Sequence, residues 1–211
     1  SCGAEEVIPD APRVYSNDAA IGLILGHDLS QVSYVATHCE ALDRYLRQVL
    51  FAPALSPPKA RIEVLDPAEP AQVFSRKLGG EAFIQIQFGS AADSSKIAAE
   101  AAVRAWLSRV AIASGKPIDV APRWLQIALM AETRVMLKPA LLDLWYREGR
   151  LNTPASLQHV LSGKATEGET FLFWRVMRAE LGSTSEQVKA LNAAAQGADI
   201  SQMLPKPKEL N

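Results

Sequence analysis

The chain has 211 residues, enough for one domain with a hydrophobic core or for two small lobes around a cleft. Hydrophobic residues make up 48% of it, and its formal net charge is −1. Because lysine and arginine are not in excess, nucleic acid and acidic membrane surfaces are not expected as partners. No apolar stretch reaches the roughly 20 residues that a membrane-spanning helix needs, so no transmembrane segment is predicted.

The amino-terminal residues leave three interpretations of Cys2 open. Ser1-Cys2-Gly3 precedes a turn-rich stretch without an initiator methionine, as in a bacterial lipoprotein after removal of its signal segment. Cys2 would then carry a lipid anchor, and the protein would be exported to the periplasm or cell envelope. A disulfide bond between Cys2 and Cys39, or two free thiols, are the alternatives. Residues 1–12 are expected to form a flexible segment.

The next hundred residues predict one helix and at least two strands. Asp28 and Ser30 are helix-capping types, and apolar residues then recur at intervals of three and four until Pro53 ends the pattern. Residues 61–66 (RIEVLD) predict a short strand. Residues 81–88 follow a Gly79-Gly80 turn, and their isoleucines alternate with glutamines, so one face of that strand is expected to be buried and the other polar.

The remaining chain predicts a bundle of five or six helices, beginning with one from about Asp93 to Ser114. Glycine, proline and capping residues mark the later boundaries. The expected helices are Trp124–Leu137 after Pro122, Pro139 to Gly149, Thr153-Pro154 to Gly163, Thr166 to Gly182, and Ser183 to Gly197. Strands followed by helices indicate an α+β fold.

This order of elements resembles the zincin fold of the small gluzincin-type metallopeptidases. In that family a strand lines the substrate cleft, the next helix carries HExxH, and a second helix begins with a phrase like P-x-W-L-x-E-G. Pro122 to Ala128 (PRWLQIA) is similar to that phrase, while Gly149-Arg150-Leu151 and Ala193 to Gly197 are similar to later family phrases. The resemblance covers residues 60–200.

The resemblance implies an α+β, zincin-like domain at residues 13–204: a small mixed sheet, an active-site-type helix and a mainly helical carboxyl-terminal half. Its α/β lobe would span about 13–115 and its helical lobe about 116–204, followed by a tail at 205–211.

In the same alignment, residues that cannot bind a metal stand at the positions of the family's zinc ligands. Residues 99–103 (AEAAV) stand in place of HExxH, so Ala99 and Val103 replace the two histidines, and Ile127 replaces the glutamate that is the third ligand. A catalytic zinc needs three protein ligands with nitrogen, oxygen or sulfur donors, and these side chains have none. The sequence therefore predicts no bound metal, no cofactor and no catalytic residue at this place.

The three histidines supply no replacement motif, because His27, His38 and His159 form no HxxxH pair. The four tryptophans occur at core spacing on predicted helices and are expected to be packing anchors. They are Trp106, Trp124, Trp145 and Trp174.

Glu100 stands where the family has its general base. It is either a vestigial carboxylate or one member of a solvated polar stripe with Lys96, Arg104 and Ser108, which recur every four residues. The stripe is the favoured interpretation, and it predicts that Glu100→Ala changes stability by less than about 0.5 kcal/mol.

The chain is therefore not expected to be an enzyme. The leading hypothesis is a non-catalytic pseudo-metallopeptidase, an exported binding or structural module with a peptide or protein in the former substrate cleft, paired to the strand at residues 81–88. A hydrolase with a metal-free, unrecognised catalytic constellation is the alternative, although G-x-S-x-G and a glycine-rich phosphate loop are absent from the sequence. An inactive subunit of an active homologue is a third interpretation.

Overall fold

A computed structural model describes residues 13–90, 93–151 and 156–203. These residues form a five-stranded mixed sheet and seven α-helices, which confirms the α+β prediction. The strands are β1 (Tyr15–Asp18), β2 (Gly22–Gly26), β3 (Ala60–Val64), β4 (Gln72–Leu78) and β5 (Glu81–Gln87). The helices are α1 (Leu29–Arg44), α2 (Ser94–Ala113), α3 (Arg123–Leu137), α4 (Ala140–Leu151), α5 (Leu157–Leu161), α6 (Glu167–Leu181) and α7 (Thr184–Ala195).

The sheet has the strand order β1-β2-β3-β5-β4, so β1 and β4 are its edges. The three central strands are parallel, and both edge strands are antiparallel to their neighbours. Ile24, Ile62 and Ile84 lie opposite one another across the central strands and are fully buried. Helices α1 and α2 contribute to the same core and cover this face of the sheet.

Strand β5 has the predicted alternation, but it does not have a free edge. Ile84 and Ile86 are fully buried, whereas Gln85 and Gln87 on the other face are half-buried. Ile84 lies opposite Ile62 of β3 on one side and Ser75 of β4 on the other. The prediction that this strand pairs with a peptide is therefore wrong, because both of its backbone edges are occupied. Among the described residues, the outermost strand on this side of the sheet is β4, and its outer edge has no strand beside it.

The hairpin that joins β4 to β5 turns at the predicted glycines. Gly79 and Gly80 have φ values of +57° and +86°, and a turn with two positive φ values suits the twist of a two-residue hairpin.

Helix α2 packs tightly because one alanine after another lies on its buried surface. Asp93 caps the helix by accepting a hydrogen bond from the backbone of Ser95, and Gly115, with φ +65°, follows its end. The helix contacts β3, β4 and β5, and also α1, α3 and α7. Its alanines with no exposed surface are Ala98, Ala99, Ala101, Ala102 and Ala105. Such short side chains allow the sheet and the helices to approach α2 from several sides.

The helical half begins and ends mostly where predicted. Thr166 and Glu169 form the reciprocal hydrogen bonds of a capping box, and Ser183 caps α7. Gly149, however, lies within α4 and does not end it. A Cβ atom there would stand 2.6 Å from Leu172 Cδ1 of α6, so this glycine serves close helix packing. Thr153-Pro154 lies outside the described residues.

One hydrophobic core joins the predicted α/β and helical lobes. It includes Ile24 of the sheet, Trp106 of α2, Trp124 of α3 and Trp174 of α6. A smaller cluster contains Trp145. All four tryptophans are at most 6% exposed, which confirms their prediction as packing anchors.

A buried ion pair fixes α6 against α3. Glu132 of α3 is 1% exposed, and its two carboxylate oxygens accept hydrogen bonds from Arg175 at 3.1 and 3.0 Å. Arg178 lies 3.8 Å from the same carboxylate and donates to the hydroxyl of Tyr45, which also accepts from Trp174 at 2.6 Å. Burial raises the pKa of Tyr45, so its hydroxyl stays neutral. These contacts connect the π-helical turn after α1 to two other helices.

Replacing Glu132 tests how strongly this network holds the helices together. Glu132→Gln leaves two guanidinium groups near a buried site without a balancing charge, so we expect the free energy of unfolding to fall by about 2–4 kcal/mol. Urea unfolding followed by circular dichroism measures the loss. The control is Glu186→Gln on α7, where the exposed pair with Lys189 is expected to contribute less than about 0.5 kcal/mol. Equal, small losses in both variants would show that the network does not hold the helices together.

Candidate functional site

Two of the three positions aligned with zinc ligands lie inside the core. Ala99 and Val103, one helical turn apart on α2, have no exposed surface. Both belong to the main hydrophobic core that packs between the sheet and the helices. No space is left open to solvent at either side chain.

Ile127 of α3 does not belong to this core. It follows Arg123 by one helical turn, and Arg123 lies 3.6 Å from Glu100 of α2. Ile127 itself is half-buried. That Ala99, Val103 and Ile127 surround one point, as the alignment implies, stays a prediction.

The histidines of the described residues lie on separate elements. His27 is exposed, with its Nδ1 atom 2.9 Å from the carbonyl oxygen of Arg13, and His159 is exposed on α5. His38 is buried on α1. Within the described ranges, no three His, Cys, Asp or Glu side chains come together as metal ligands.

His38 of α1 contacts a serine of α2, Ser95. Its Nδ1 atom donates to the carbonyl oxygen of Tyr34 at 2.8 Å, so Nε2 is the acceptor for the Ser95 hydroxyl at 3.4 Å. That serine oxygen already accepts from Arg134 at 3.3 Å. A long contact and a donor on the nucleophilic oxygen do not make an activated serine, so this cluster does not favour the metal-free hydrolase.

The described cysteine is chemically inert. Cys39 is a free thiol with no exposed surface, and burial raises its pKa to about 12. The thiol is thus protonated at neutral pH and is a poor nucleophile. Cys2 lies outside the described residues, so its lipidation and its disulfide with Cys39 stay predictions.

A cavity of about 680 Å³ opens between β4, α2 and the start of α3. We call it the β4 cavity. Its polar lining comes from all three elements and from the loop between the two helices. The polar residues that line it are Ser75, Glu100, Arg104, Ser108, Asp119, Arg123 and Gln126. Leu107 and Ile118 are apolar members of the wall.

Glu100 is held inside this cavity and does not belong to a solvated stripe. Its side chain is 15% exposed, and Oε1 accepts from Arg104 Nε at 2.9 Å and lies 3.6 Å from Arg123 Nη1. Of the other members of the predicted stripe, Lys96 and Arg104 reach solvent, with side chains 53% and 31% exposed, whereas Ser108 is 1% exposed. The sequence showed the i,i+4 spacing to Arg104, but it gave no signal for Arg123, which comes from another helix.

Charges of both signs give the β4 cavity the chemistry of a binding site for a polar ligand. Two guanidinium groups meet one carboxylate at its wall, and Asp119 adds a second carboxylate on the exposed loop. The hydroxyl oxygen of Ser75 is buried and has no hydrogen-bond partner among the described residues. Buried polar atoms normally have partners, so a ligand or solvent molecule is expected here.

Compared with protein-family models, with curated proteins and with solved structures, the chain matches none. None of the helices that the structure describes is long and apolar enough to cross a membrane.

Removing the Glu100 side chain should lower the free energy of unfolding by more than is expected for a residue of a solvated stripe. Glu100→Ala leaves Arg104 and Arg123 as neighbouring like charges and removes a charge-assisted hydrogen bond, so we expect a loss of about 1–2 kcal/mol in the free energy of unfolding. Glu148→Ala, an exposed glutamate on α4, is the matched control and should change stability by less than about 0.5 kcal/mol. Equal results from chemical denaturation of the two variants would restore the stripe interpretation.

Acid should destabilise the fold through His38. Burial has the largest effect on the pKa of His38 and lowers it below its ordinary value of 6.5. The positive charge of Arg134 also lowers this pKa, whereas the hydrogen bond to the Tyr34 carbonyl and the charge of Asp93 raise it. The unfolded chain therefore binds a proton more readily, and stability is lost as the pH falls through about 6.5. Urea unfolding between about pH 7.5 and 5.5 measures this slope. His38→Gln should flatten it; an unchanged slope would assign the pH dependence to other groups.

Proposed function

We propose that this chain is a non-catalytic zincin-like domain, a pseudo-metallopeptidase that acts as a binding or structural module. One observation carries the proposal. Ala99 and Val103 are fully buried in the core, while Glu100, the residue between them that aligns with the family's general base, lines an open cavity. Glu100 therefore lies at a cavity, while the two aligned ligand positions face the core and offer none of the donors that a zinc ion needs.

The order and contacts of the elements support the zincin-like part of the proposal. Strand β5 leads into α2 after a short connection, and α3 starts directly after Pro122 and packs against α2. Arg123, the second residue of the PRWLQIA phrase, reaches Glu100. The phrase and the helix that replaces HExxH are therefore neighbours, as the alignment requires.

The position of the β4 cavity supports a peptide as the ligand. Ser75 lies opposite Ile84 and so faces the helix-covered side of the sheet, where α2 passes over β4. An extended peptide that hydrogen-bonds to the free edge of β4 would lie beside the cavity mouth, with side chains alternating towards and away from it. Export and a lipid anchor at Cys2 belong to the same proposal and rest on the sequence alone.

Zinc content tests the loss of the metal site. Protein purified in the presence of zinc and then dialysed should hold less than about 0.1 zinc per chain, because Ala99, Val103 and Ile127 offer no lone pair. Elemental analysis gives the ratio, and a casein assay should show no hydrolysis. About one zinc per chain, retained through dialysis, would contradict the proposal.

The triple variant Ala99→His, Val103→His, Ile127→Glu is the matching gain-of-metal test. If the three positions surround one point, this variant should retain more zinc than the double variant Ala99→His, Val103→His, because three ligands bind more tightly than two. We expect no peptidase activity, since the residues that would orient new ligands are absent. Circular dichroism is used to check that both variants fold. Equal zinc retention in the two folded variants would remove Ile127 from the site and contradict the zincin-like alignment.

A further inference from the structure

Two arginines in the β4 cavity share a single carboxylate oxygen. Arg104 reaches Glu100 Oε1 with Nε at 2.9 Å and Nη2 at 2.6 Å, so it is firmly bound to it. Arg123 Nη1 stands 3.6 Å from the same atom, beyond hydrogen-bond distance. Glu100 thus accepts hydrogen bonds from Arg104, whereas it interacts with Arg123 only through the attraction of opposite charges.

Arg123 keeps most of its hydrogen-bonding capacity for the cavity. A guanidinium group has five N–H donors, and the described structure assigns Arg123 one hydrogen bond, from Nη1 to Gln126 Oε1 at 3.3 Å. Its side chain is 50% exposed and lines the cavity. A planar fork of free donors on a partly enclosed wall matches the two oxygens of a carboxylate.

Strand β4 contributes a second polar group to the lining of the cavity. Ser75 Oγ is buried and unpartnered among the described residues, and it belongs to the edge strand on which a peptide could lie. A hydroxyl can donate to an oxygen of an anion that already contacts Arg123. Arg123 and Ser75 therefore favour the same kind of ligand from two separate elements.

The charges of the cavity also favour an anion over a cation. Glu100 is already neutralised by Arg104 and faces Arg123 as well, so it has little attraction left for a cationic ligand. Asp119 is the remaining carboxylate of the lining; it lies exposed on the loop between α2 and α3. Asp119 weakens the binding of an anion without preventing it, and this makes its removal a useful test.

We propose that the β4 cavity binds the carboxylate of an extended peptide, with Arg123 as the principal contact and the Ser75 hydroxyl as a second donor. This inference rests on the proposed function, because the backbone of the peptide is held at the edge of β4. The carboxylate belongs either to an acidic side chain or to the carboxyl terminus of the peptide. The chemistry of recognition is the same in both cases.

Three defined peptides show whether the carboxylate comes from an acidic side chain or from a carboxyl terminus. They are titrated into the whole chain labelled with ¹⁵N and followed by nuclear magnetic resonance. The probes are an acetylated alanine pentapeptide with a free carboxyl terminus, the same peptide as its carboxyl-terminal amide, and that amide with glutamate at the central position. At least one carboxylate-bearing peptide should bind about tenfold more tightly than the neutral amide. It should also shift the Arg123 Nε and Ser75 backbone signals. Which of the two peptides does so identifies the source of the carboxylate.

Variants then assign the preference to the cavity. Arg123→Gln should abolish the tenfold preference, and Arg123→Lys should retain part of it, because a lysine keeps the charge but loses the fork. Asp119→Asn should tighten carboxylate binding about twofold to threefold by removing a repelling charge. Arg147→Gln, an exposed arginine on α4, is the matched control and should leave every affinity unchanged.

The outcomes separate this inference from the proposed function. If all three peptides shift β4 signals with equal affinity, carboxylate recognition is overturned while a peptide-binding domain stands. A preference that persists in Arg123→Gln also overturns the inference, because the carboxylate then binds elsewhere. If none of the peptides shifts β4 signals, both carboxylate recognition and peptide binding at this edge are wrong.

Discussion

The burial of α2 on nearly every side is the constraint on which the rest of the structure depends. Its alanines allow the sheet, α1, α3 and α7 to approach one helix closely enough to form a continuous core. A histidine at position 99 or 103 would need space that this packing does not leave, since both side chains have no exposed surface. The alanines that allow this close packing therefore include a position, Ala99, where the alignment would require a metal ligand.

The polar side chains around α2 connect its start and its middle to the helical half. Near its start, Arg134 of α3 forms ion pairs with Asp93 and with Glu167 of α6. In its middle, Glu100 pairs with Arg104 and attracts Arg123. These contacts orient α3 beside α2, and this places the guanidinium of Arg123 at the wall of the β4 cavity. The cavity thus results from the packing of α2 and α3 against β4, and the loop between the two helices completes its wall.

Local sequence signals predicted the parts of the fold that depend on neighbours along the chain. The Asp28 cap, the capping box at Thr166 and the Gly79-Gly80 turn are of this kind. Strands β1 and β4 were missed because they lie at the edges of the sheet, and in β4 only Val73 is buried. Strand β2 is central, but it was missed because glycine stands at both of its ends. Gly149 was misread as a helix end because its role depends on Leu172, which lies on another helix.

The same limit applies to the candidate site. The sequence aligned Glu100 with a catalytic base and showed its spacing to Arg104, but Ser75 and Arg123 join it only through tertiary structure. Neither residue has a motif of its own, and a lone serine or arginine carries no functional signal without its surroundings. The predicted pair of Glu100 with Arg104 is present, but the enclosure of Glu100 in the cavity depends on residues from other elements.

Anomalous X-ray diffraction at the zinc edge, from crystals of the protein grown with zinc, tests the loss of the metal site most directly. A pseudo-metallopeptidase with this core should show no anomalous peak within about 3 Å of Glu100 and none between Ala99, Val103 and Ile127. A strong peak at that point, coordinated by protein atoms, would contradict the proposed function, because it would show a metal site where the structure places apolar side chains.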